Sequence, residues 1–529
     1  MSQKLTRTLA SFALITLLGC DEPDEQTTLP YTARTVEDGL LFVPGEDGDE
    51  QQALLLDVSG QDPKSTRFDL PGGTVSSFPR PGKNGEEVVV LTSGLEAVRS
   101  GKDKRAALPS SVVVFGKAGQ LVRKDLQGRY KSLSLSPDGR YAIAFGSQAG
   151  LSVDNSAEVI DFESADRPVF VDLSLDARAP TNFVFSAPGA FKHKVAVAPQ
   201  PNALQIIDLD NALAGPISIT LTTSASLTPV QILFAEDRMF VRSASSNQIL
   251  VLQAIDVPSK HGWQPAPQQL FARSQVQDIA VIGKGAAQRL LAVTGALEVF
   301  DPAVGPTAVI ENVSGFDRIL QFEGTSPLDS ASKPRAMLYS QTRGSSQVGF
   351  VDLGDETAWT TRNVELVELG DAVVAMTPLT DPRYKLAIAQ HSTARAGVID
   401  LQARTVRRLV LNEYAGTLLL DEKGTDGPQL WARGSGGELG RVNLANFARI
   451  ELPFSVGSSY APSIPRSSAA TDTSSGLLYV PSKVRPRVAV LQPANTGRVT
   501  FVDANAQTNE VAGDSALEVL GIYLPDLLD

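Results

Sequence analysis

The stretch Val398-Ile399-Asp400-Leu401 joins two β-branched residues to an aspartate and a further apolar residue. Runs of this kind, short, apolar and ending in Asp, recur along the chain. β-branched residues favour strands, and an Asp at the end of such a run favours a turn. The clearest copies are Leu54–Val58, Val159–Phe162, Ile206–Leu209, Val299–Pro302, Phe350–Leu353 and Val398–Leu401.

The copies are evenly spaced. Weaker ones at Val113–Phe115, Leu250–Leu252, Gly440–Asn443 and Val490–Gln492 bring the markers to ten, about 48 residues apart on average. Three or four short antiparallel strands in each interval, with no helical pattern between them, are typical of propeller blades. The sequence therefore predicts an all-β fold, a large β-propeller of about ten repeats.

Another strand precedes each marker, and alanine recurs at alternate positions in several of these strands. One face of such a strand carries only small side chains. We expect these to be inner strands, packed where the sheets converge on a central axis. The examples are Tyr141–Phe145, Lys194–Ala198 and Lys385–Ala389.

The two ends of the chain also match, since Gly39–Pro44 recurs as Gly476–Pro481. This match predicts that the array begins and ends in the same phase, as a closed ring requires. Seven or eight blades with longer insertions, two smaller propellers, an open β-solenoid and several sandwiches remain alternatives.

Two turn motifs carry a family resemblance. Ser136–Tyr141 resembles the inter-blade turn of many bacterial propellers, and Val159–Ser164 and Val398–Ala403 resemble the strand and turn of YVTN-type repeats, the lactonase and YncE-like class. The resemblance implies a propeller fold more strongly than it implies a function.

The N-terminus is typical of a signal peptide. Lys4 and Arg7 precede the apolar run Leu9–Leu18, which is too short to span a bilayer. Its end, Leu17-Leu18-Gly19-Cys20, resembles a bacterial lipobox, which implies that Cys20 carries lipid and begins the mature chain. Cys20 is the only cysteine, so no internal disulfide can form. We expect residues 1–19 to be a lipoprotein signal peptide.

The chain after Cys20 is acidic. Residues 20–35 are predicted to form a lipid-anchored tether, followed by the propeller over 36–529. Loss of residues 1–19 removes two basic residues and no acidic one, which moves the formal net charge from −12 to −14. This charge excludes nucleic acid as a partner and leaves the lipid on Cys20 as the contact with the membrane. The choice between inner and outer membrane stays open.

No compact catalytic or metal-binding motif is present. The histidines His193, His261 and His391 lie more than 60 residues apart, and HExxH, CxxC and G-x-S-x-G are absent. Three tryptophans are too few for the docking motifs of quinone-dependent propeller enzymes. We therefore predict no metal, no cofactor and no catalytic residue. A propeller lactonase stays open, because its catalytic groups would lie on scattered loops.

Three irregular segments are candidates for binding. Lys260, His261 and Trp263 place cations and an aromatic ring on a proline-rich loop, although the tryptophan could equally cap a blade edge. Arg99 and Lys102 belong to a basic island on an acidic protein, for which a solvated hairpin is the alternative. The third segment, Phe454–Ser475, is rich in Ser, Pro and Thr and favours an insertion or a contact loop.

Together these features predict a non-catalytic, lipid-anchored β-propeller of the bacterial envelope. It would bind or scaffold an envelope protein or glycan. The alternative is an envelope enzyme of the propeller lactonase type. Mutually close ionisable groups with shifted pKa at one channel mouth would favour the enzyme, and a channel lined by alanine and valine would favour the scaffold.

Overall fold

The protein, seen in a computed structural model, consists of strands and two short 3-10 turns in the part of the chain that is described. The structure describes residues 31–512 apart from 37–38, 45–50, 58–62, 74, 84–85, 96, 98–105, 148–154, 174–179, 188, 190–193, 222–226, 258–259, 267–268, 312, 327–328, 343, 355–358, 360–363, 380–382, 392–394, 410–414, 422–426, 435–437, 456–477, 482–487, 492–497, 504 and 507.

The strands form ten antiparallel sheets, and in each sheet four strands lie side by side in chain order. We call the sheets blades 1 to 10. Blade 5 carries an additional strand, β21, paired with its third strand.

Blade 1 contains β1 (Tyr31–Val36), β2 (Gly39–Pro44), β3 (Gln51–Asp57) and β4 (Lys64–Leu70); blade 2 contains β5 (Val75–Pro79), β6 (Val88–Thr92), β7 (Ser111–Gly116) and β8 (Gly119–Asp125); blade 3 contains β9 (Tyr130–Leu135), β10 (Tyr141–Ser147), β11 (Ser156–Asp161) and β12 (Val169–Asp172); blade 4 contains β13 (Val184–Phe185), β14 (Val195–Gln200), β15 (Ala203–Asp208) and β16 (Ile217–Thr220). Blade 5 contains β17 (Pro229–Ala235), β18 (Arg238–Ser243), β19 (Gln248–Val257), β20 (Lys260–Pro265) and β21 (Leu270–Phe271); blade 6 contains β22 (Asp278–Ile282), β23 (Arg289–Val293), β24 (Leu297–Asp301) and β25 (Gly305–Ile310); blade 7 contains β26 (Arg318–Ser326), β27 (Asp329–Tyr339), β28 (Gln347–Asp352) and β29 (Glu365–Glu368). Blade 8 contains β30 (Val373–Pro378), β31 (Leu386–His391), β32 (Ala396–Asp400) and β33 (Thr405–Leu409); blade 9 contains β34 (Ala415–Asp421), β35 (Gln429–Gly434), β36 (Glu438–Asn443) and β37 (Arg449–Ser455); blade 10 contains β38 (Leu478–Pro481), β39 (Val488–Leu491), β40 (Arg498–Val502) and β41 (Thr508–Ala512).

The marker motif has a structural cause. In blades 1 to 9 the marker run lies in the third strand, and in all of these except blades 2 and 5 an Asp or Asn ends that strand at the turn to the fourth. Asp400 Oδ1 accepts hydrogen bonds from the backbone N–H groups of Gln402 (2.9 Å) and Ala403 (2.8 Å). Such a side-chain acceptor stabilises a tight turn in place of a backbone carbonyl.

The tenth marker was assigned wrongly by the sequence pattern. Of this marker, Val490 and Leu491 end β39, the second strand of blade 10. The third strand is β40, and Asp503 after it accepts the N–H of Asn505 at 2.8 Å. The prediction that the chain ends match in phase is also wrong, because Gly39–Pro44 forms the second strand of its blade and Leu478–Pro481 the first.

The alanine-rich strands occupy the second position rather than the innermost. The first strands lie inside them, since β17 contacts β22, and β22 contacts β26, across successive blades. In β10, Ala142 and Ala144 pack against blade 2, whereas Ile143 and Phe145 pack against blade 4. The small side chains therefore form the face toward the preceding blade, which allows the two sheets to approach closely.

Each blade packs on the next through such apolar clusters, and the array closes on itself. Val502 in β40 is 1% exposed and packs among Leu40, Phe42, Leu54 and Leu56 of blade 1. This contact joins residues more than 440 positions apart in the chain. The fold is a β-propeller, in which closure leaves no exposed sheet face between the last blade and the first.

The predicted tether is too long by five residues, because β1 already begins at Tyr31 and pairs with β2. Among the described residues, none belongs to a helix with the length and apolar character needed to cross a membrane.

Candidate functional site

The inner edges of the blades need hydrogen-bond partners. A first strand pairs on one side only, so its other edge presents unpaired peptide groups. We use "upper end" for the end of the ring where the first strands begin and the second strands finish. At this end, side chains of one blade form hydrogen bonds with the unpaired N–H and C=O groups on the first strand of the next blade.

Gln231 in β17 supplies one such partner. Its Nε2 donates to the carbonyl oxygen of Ile279 at 3.0 Å, and its Oε1 accepts the N–H of the same residue at 3.2 Å. The side-chain amide thus pairs with both peptide groups of Ile279, as a neighbouring strand would.

Asp278, the first residue of β22, repeats this role on blade 7. Its Oδ2 accepts the N–H of Ile319 at 3.0 Å, and its Oδ1 accepts the N–H of Ile279 at 2.9 Å. Burial raises the pKa of the Asp278 carboxyl, and this effect outweighs the hydrogen bonds that act in the opposite direction.

Arg242, near the end of β18, interacts with both Gln231 and Asp278. Its Nε donates to Gln231 Oε1 at 2.9 Å and its Nη1 to the carbonyl oxygen of Val276 at 3.1 Å. Burial lowers the pKa of Arg242, although the charge of Asp278 opposes this. Its hydrogen bond to Val276 links blade 5 to the segment that leads into blade 6.

Arg318 and Tyr339 complete the group on blade 7. Arg318 Nε donates to Gln341 Oε1 at 3.0 Å, and Gln341 Nε2 donates to the carbonyl oxygen of Val374 in β30 at 3.0 Å. Burial raises the pKa of the Tyr339 phenol, and the charge of Asp278 adds to this shift. We call Gln231, Arg242, Asp278, Arg318 and Tyr339 the inner polar cluster.

The inner polar cluster meets the criterion that favours an enzyme, because its ionisable groups interact and have shifted pKa values. Three of its side chains, Gln231, Arg242 and Asp278, are, however, hydrogen-bonded to backbone groups of the next blade or of the segment leading into it, which holds the blades together. Asp317 lies 3.8 Å from Arg318, so the two arginines of the cluster face two carboxylates, Asp278 and Asp317, and their charges balance.

Two further buried carboxylates have the same structural role. Glu158, fully buried in β11, accepts the N–H groups of Gln127 (2.7 Å) and Gly128 (2.8 Å), and burial raises its pKa. Glu298 in β24 likewise accepts the N–H of Arg273 at 3.0 Å. Both glutamates stand three positions before the marker aspartate and fix the segment that links the preceding blade to their own.

The proposed binding loop around Trp263 is a strand. Lys260, His261 and Trp263 lie on β20, which pairs with β19 from Val257↔Lys260 onward. Trp263 is 8% exposed and packs with Val195, Val197 and Met239. The loop assignment was wrong, because these residues lie on a strand paired with β19, and the alternative in which the tryptophan packs on a blade is confirmed.

The remaining predicted residues stay predictions. Cys20, Arg99, Lys102 and most of the Phe454–Ser475 segment lie outside the described residues, although Phe454 and Ser455 end β37. Of the three histidines, His391 is buried with its Nδ1 3.1 Å from the carbonyl oxygen of Asp371. Within the described part of the chain, no three His, Cys, Asp or Glu side chains are grouped so as to hold a metal ion.

Sequence reasoning missed the inner polar cluster. Its members come from three blades and share no motif. The available signal was position, since Asp278 and Arg318 are each the first residue of a blade's first strand. Polar residues at those positions could have been aligned only if the first strands had been located.

No protein-family model and no curated protein matches the chain. Among solved structures, it is similar to the dihydro-heme d1 dehydrogenase NirN in complex with DHE, with 15% identity, 64% of this chain and 70% of that chain covered and a TM-score of 0.41. A eukaryotic initiation factor shows 11% identity, 92% and 97% coverage and a TM-score of 0.41, and apo AztD from Citrobacter koseri shows 12% identity, 76% and 92% coverage and a TM-score of 0.32. These similarities do not bear on function, so the fold rests on the ten sheets and their closure.

Proposed function

We propose that this protein is a non-catalytic, lipid-anchored β-propeller of the bacterial envelope that binds or scaffolds an envelope protein or glycan. One observation carries the binding role: three side chains of the inner polar cluster, Gln231, Arg242 and Asp278, are committed to hydrogen bonds that join neighbouring blades. A general base or nucleophile needs a polar atom free to reach a substrate, whereas a binding protein needs a rigid surface, which these bonds provide.

The anchor in this proposal is the lipid on Cys20, and the repeats are of the YVTN type. Their support is the lipobox-like end of the signal segment, the net negative charge and the marker turns. Two acyl chains are enough for stable attachment, since each buried CH₂ contributes about 0.8 kcal/mol.

Membrane fractionation tests the anchor. We expect Cys20→Ala to move the protein from the membrane to the soluble fraction and to remove labelling by radioactive palmitate. Ser11→Ala, within the same apolar run, is the control and should remain in the membrane. An unchanged membrane signal for Cys20→Ala would contradict the anchor.

A propeller lactonase is the second candidate, and the shifted pKa values of Asp278 and Tyr339 favour it. Lactone hydrolysis by the full chain separates the two functions. If the protein is an enzyme that uses this cluster, Asp278→Asn should abolish turnover without loss of folding, while Glu311→Gln, on the exposed surface of blade 6, should not. Absence of hydrolysis, together with capture of an envelope partner by wild type and Asp278→Asn alike, is the result that the binding role predicts.

A further inference from the structure

Arg34, in the first strand of blade 1, is a half-buried cation without a carboxylate partner among the described residues. Other arginines that are shielded from water form ion pairs, as Arg80 does with Glu87 and Arg335 with Asp352. Burial lowers the pKa of Arg34, and no carboxylate of the described chain opposes this shift. Because an unpaired charge is costly when it is withdrawn from water, an anion beside Arg34 would stabilise it.

Ser77 of blade 2 fixes the orientation of the guanidinium. Arg34 Nε donates to Ser77 Oγ at 3.1 Å, and Nη2 donates to the carbonyl oxygen of Ser77 at 3.0 Å. These bonds occupy one edge of the planar group and use two of its five N–H donors. Of the three that remain, one on Nη1 and one on Nη2 lie side by side. This end of the group matches the two oxygens of a carboxylate.

The remaining donors of Arg34 are accessible from the central channel. β1 and β5 are first strands and contact each other, so the side chain lies at the inner edges of blades 1 and 2. On its outer side, Leu41, Val88 and Val90 belong to the fully buried core between these blades. Nη1 makes no hydrogen bond among the described residues, yet it is not one of the side-chain atoms closed off from solvent. Its open side is therefore the channel.

The charges along the inner edges also favour an anion. The first strands of blades 1 to 5 contain Arg34 and the exposed Lys131 and no acidic residue. The first acidic residue on a first strand, in chain order, is Asp278 of blade 6. On a chain with a formal net charge of −12, this is a local reversal of sign. A cleft lined by charges of one sign concentrates ions of the other sign.

We infer that the channel side of blades 1 and 2 binds a small organic acid through its carboxylate group, with Arg34 donating two parallel hydrogen bonds to it. Ser77 is a positioning residue, because it holds the guanidinium with its free end toward the channel. Lys131 adds to the positive potential that attracts the acid. A neutral amide of the same shape lacks the charge that Arg34 requires.

Calorimetric titration of the full chain with succinate at low salt tests the inference. We expect saturable binding that weakens as salt is added, because the site is open to solvent. Succinamide has the same carbon chain without charge and should not bind. Binding of succinamide as tightly as succinate, or no binding of succinate, would overturn the proposal.

Two variants and a matched control locate the site. Arg34→Gln removes the charge and the paired donors and should weaken succinate binding at least tenfold. Arg34→Lys keeps a charge between the blades but loses the paired donors, and should weaken binding roughly threefold or more. Arg67→Gln removes an exposed charge from the outermost strand of the same blade and should leave the affinity unchanged.

Melting of each variant, measured beside the titration, shows that the chain is folded. A folded variant at position 34 that binds succinate as tightly as wild type would overturn the site. Equal loss in Arg34→Gln and Arg67→Gln would show only a general charge effect and would also reject it.

Discussion

Gln231 occupies, with one side chain, the position that a further strand would take at the inner edge of blade 6. Its side-chain amide forms hydrogen bonds with both the N–H and the C=O of Ile279, and Asp278 accepts a hydrogen bond from the N–H of Ile319 on blade 7. Unpaired edge groups are costly when they are shielded from water. At the scale of single residues, the polar side chains at the upper end are therefore explained by the peptide groups that they satisfy.

Asp278 and Asp317 should respond to pH in opposite directions. Burial raises the pKa of Asp278, so its contribution to stability is fully present below its unfolded pKa of about 3.9 and decreases as pH rises through the folded value. We expect Asp278→Asn to lose this decrease. Its melting temperature should therefore improve relative to wild type as pH rises from about 4 to 7.

Asp317 is the matched control. Burial raises its pKa, but hydrogen bonds from Gln341 and Thr342 outweigh burial and leave the pKa below its usual value. Its stabilisation is present above about pH 4 and is lost as pH falls through the folded value. Asp317→Asn should therefore be less stable than wild type at pH 7, with a smaller difference in acid. Melting scans in which both variants changed in the same direction would contradict these assignments.

The alternation within each second strand organises the blades. Ala142 and Ala144 face blade 2, and Ile143 and Phe145 face blade 4, because successive side chains of a strand point to opposite faces. β14 repeats the pattern, with Ala196 packed toward blade 3. At the scale of elements, blades 3 and 4 therefore present small alanines to the preceding blade, whereas blade 1 presents Leu40 and Phe42 to blade 10.

Trp263 tests the packing of a fourth strand. We expect Trp263→Ala to lower the free energy of unfolding by about 3–5 kcal/mol, because its ring fills the core between blades 4 and 5. Gln264→Ala is the control on the same strand, since Gln264 is exposed, and should change stability by less than about 0.5 kcal/mol. Denaturant unfolding of the two variants measures both. Equal unfolding midpoints for the two variants would show that Trp263 does not stabilise this core.

The strands, their number per blade and the period could be predicted from the sequence, because Asp400 and its equivalents combine a strand end with a turn acceptor. The order of the strands from the axis could not be predicted, because alternating alanines such as Ala142 are compatible with either a first or a second strand. The role of Trp263 was also ambiguous, because the prolines on either side of it in the sequence, Pro258 and Pro265, favour a loop. The inner polar cluster was beyond prediction, since it depends on which blades are neighbours in space.

At the scale of the whole molecule, closure explains why the first and last blades share a core. Val502 is almost fully buried by Leu40, Phe42, Leu54 and Leu56, and Ala33 and Ala506 lie beside them. A chain of ten sheets left open would expose two apolar sheet faces at its ends. The ring buries both.

A double-mutant cycle between Val502 and Leu40 tests this closure most directly. Leu40→Ala and Val502→Ala each remove part of one apolar cluster, so in a closed ring their effects on the free energy of unfolding should be non-additive, with a coupling of about 0.5–3 kcal/mol. Val502→Ala combined with Leu291→Ala in blade 6 is the control and should be additive within about 0.5 kcal/mol. The closed ring predicts coupling in the first pair alone. Additivity in both pairs would contradict it and would leave an open array of blades.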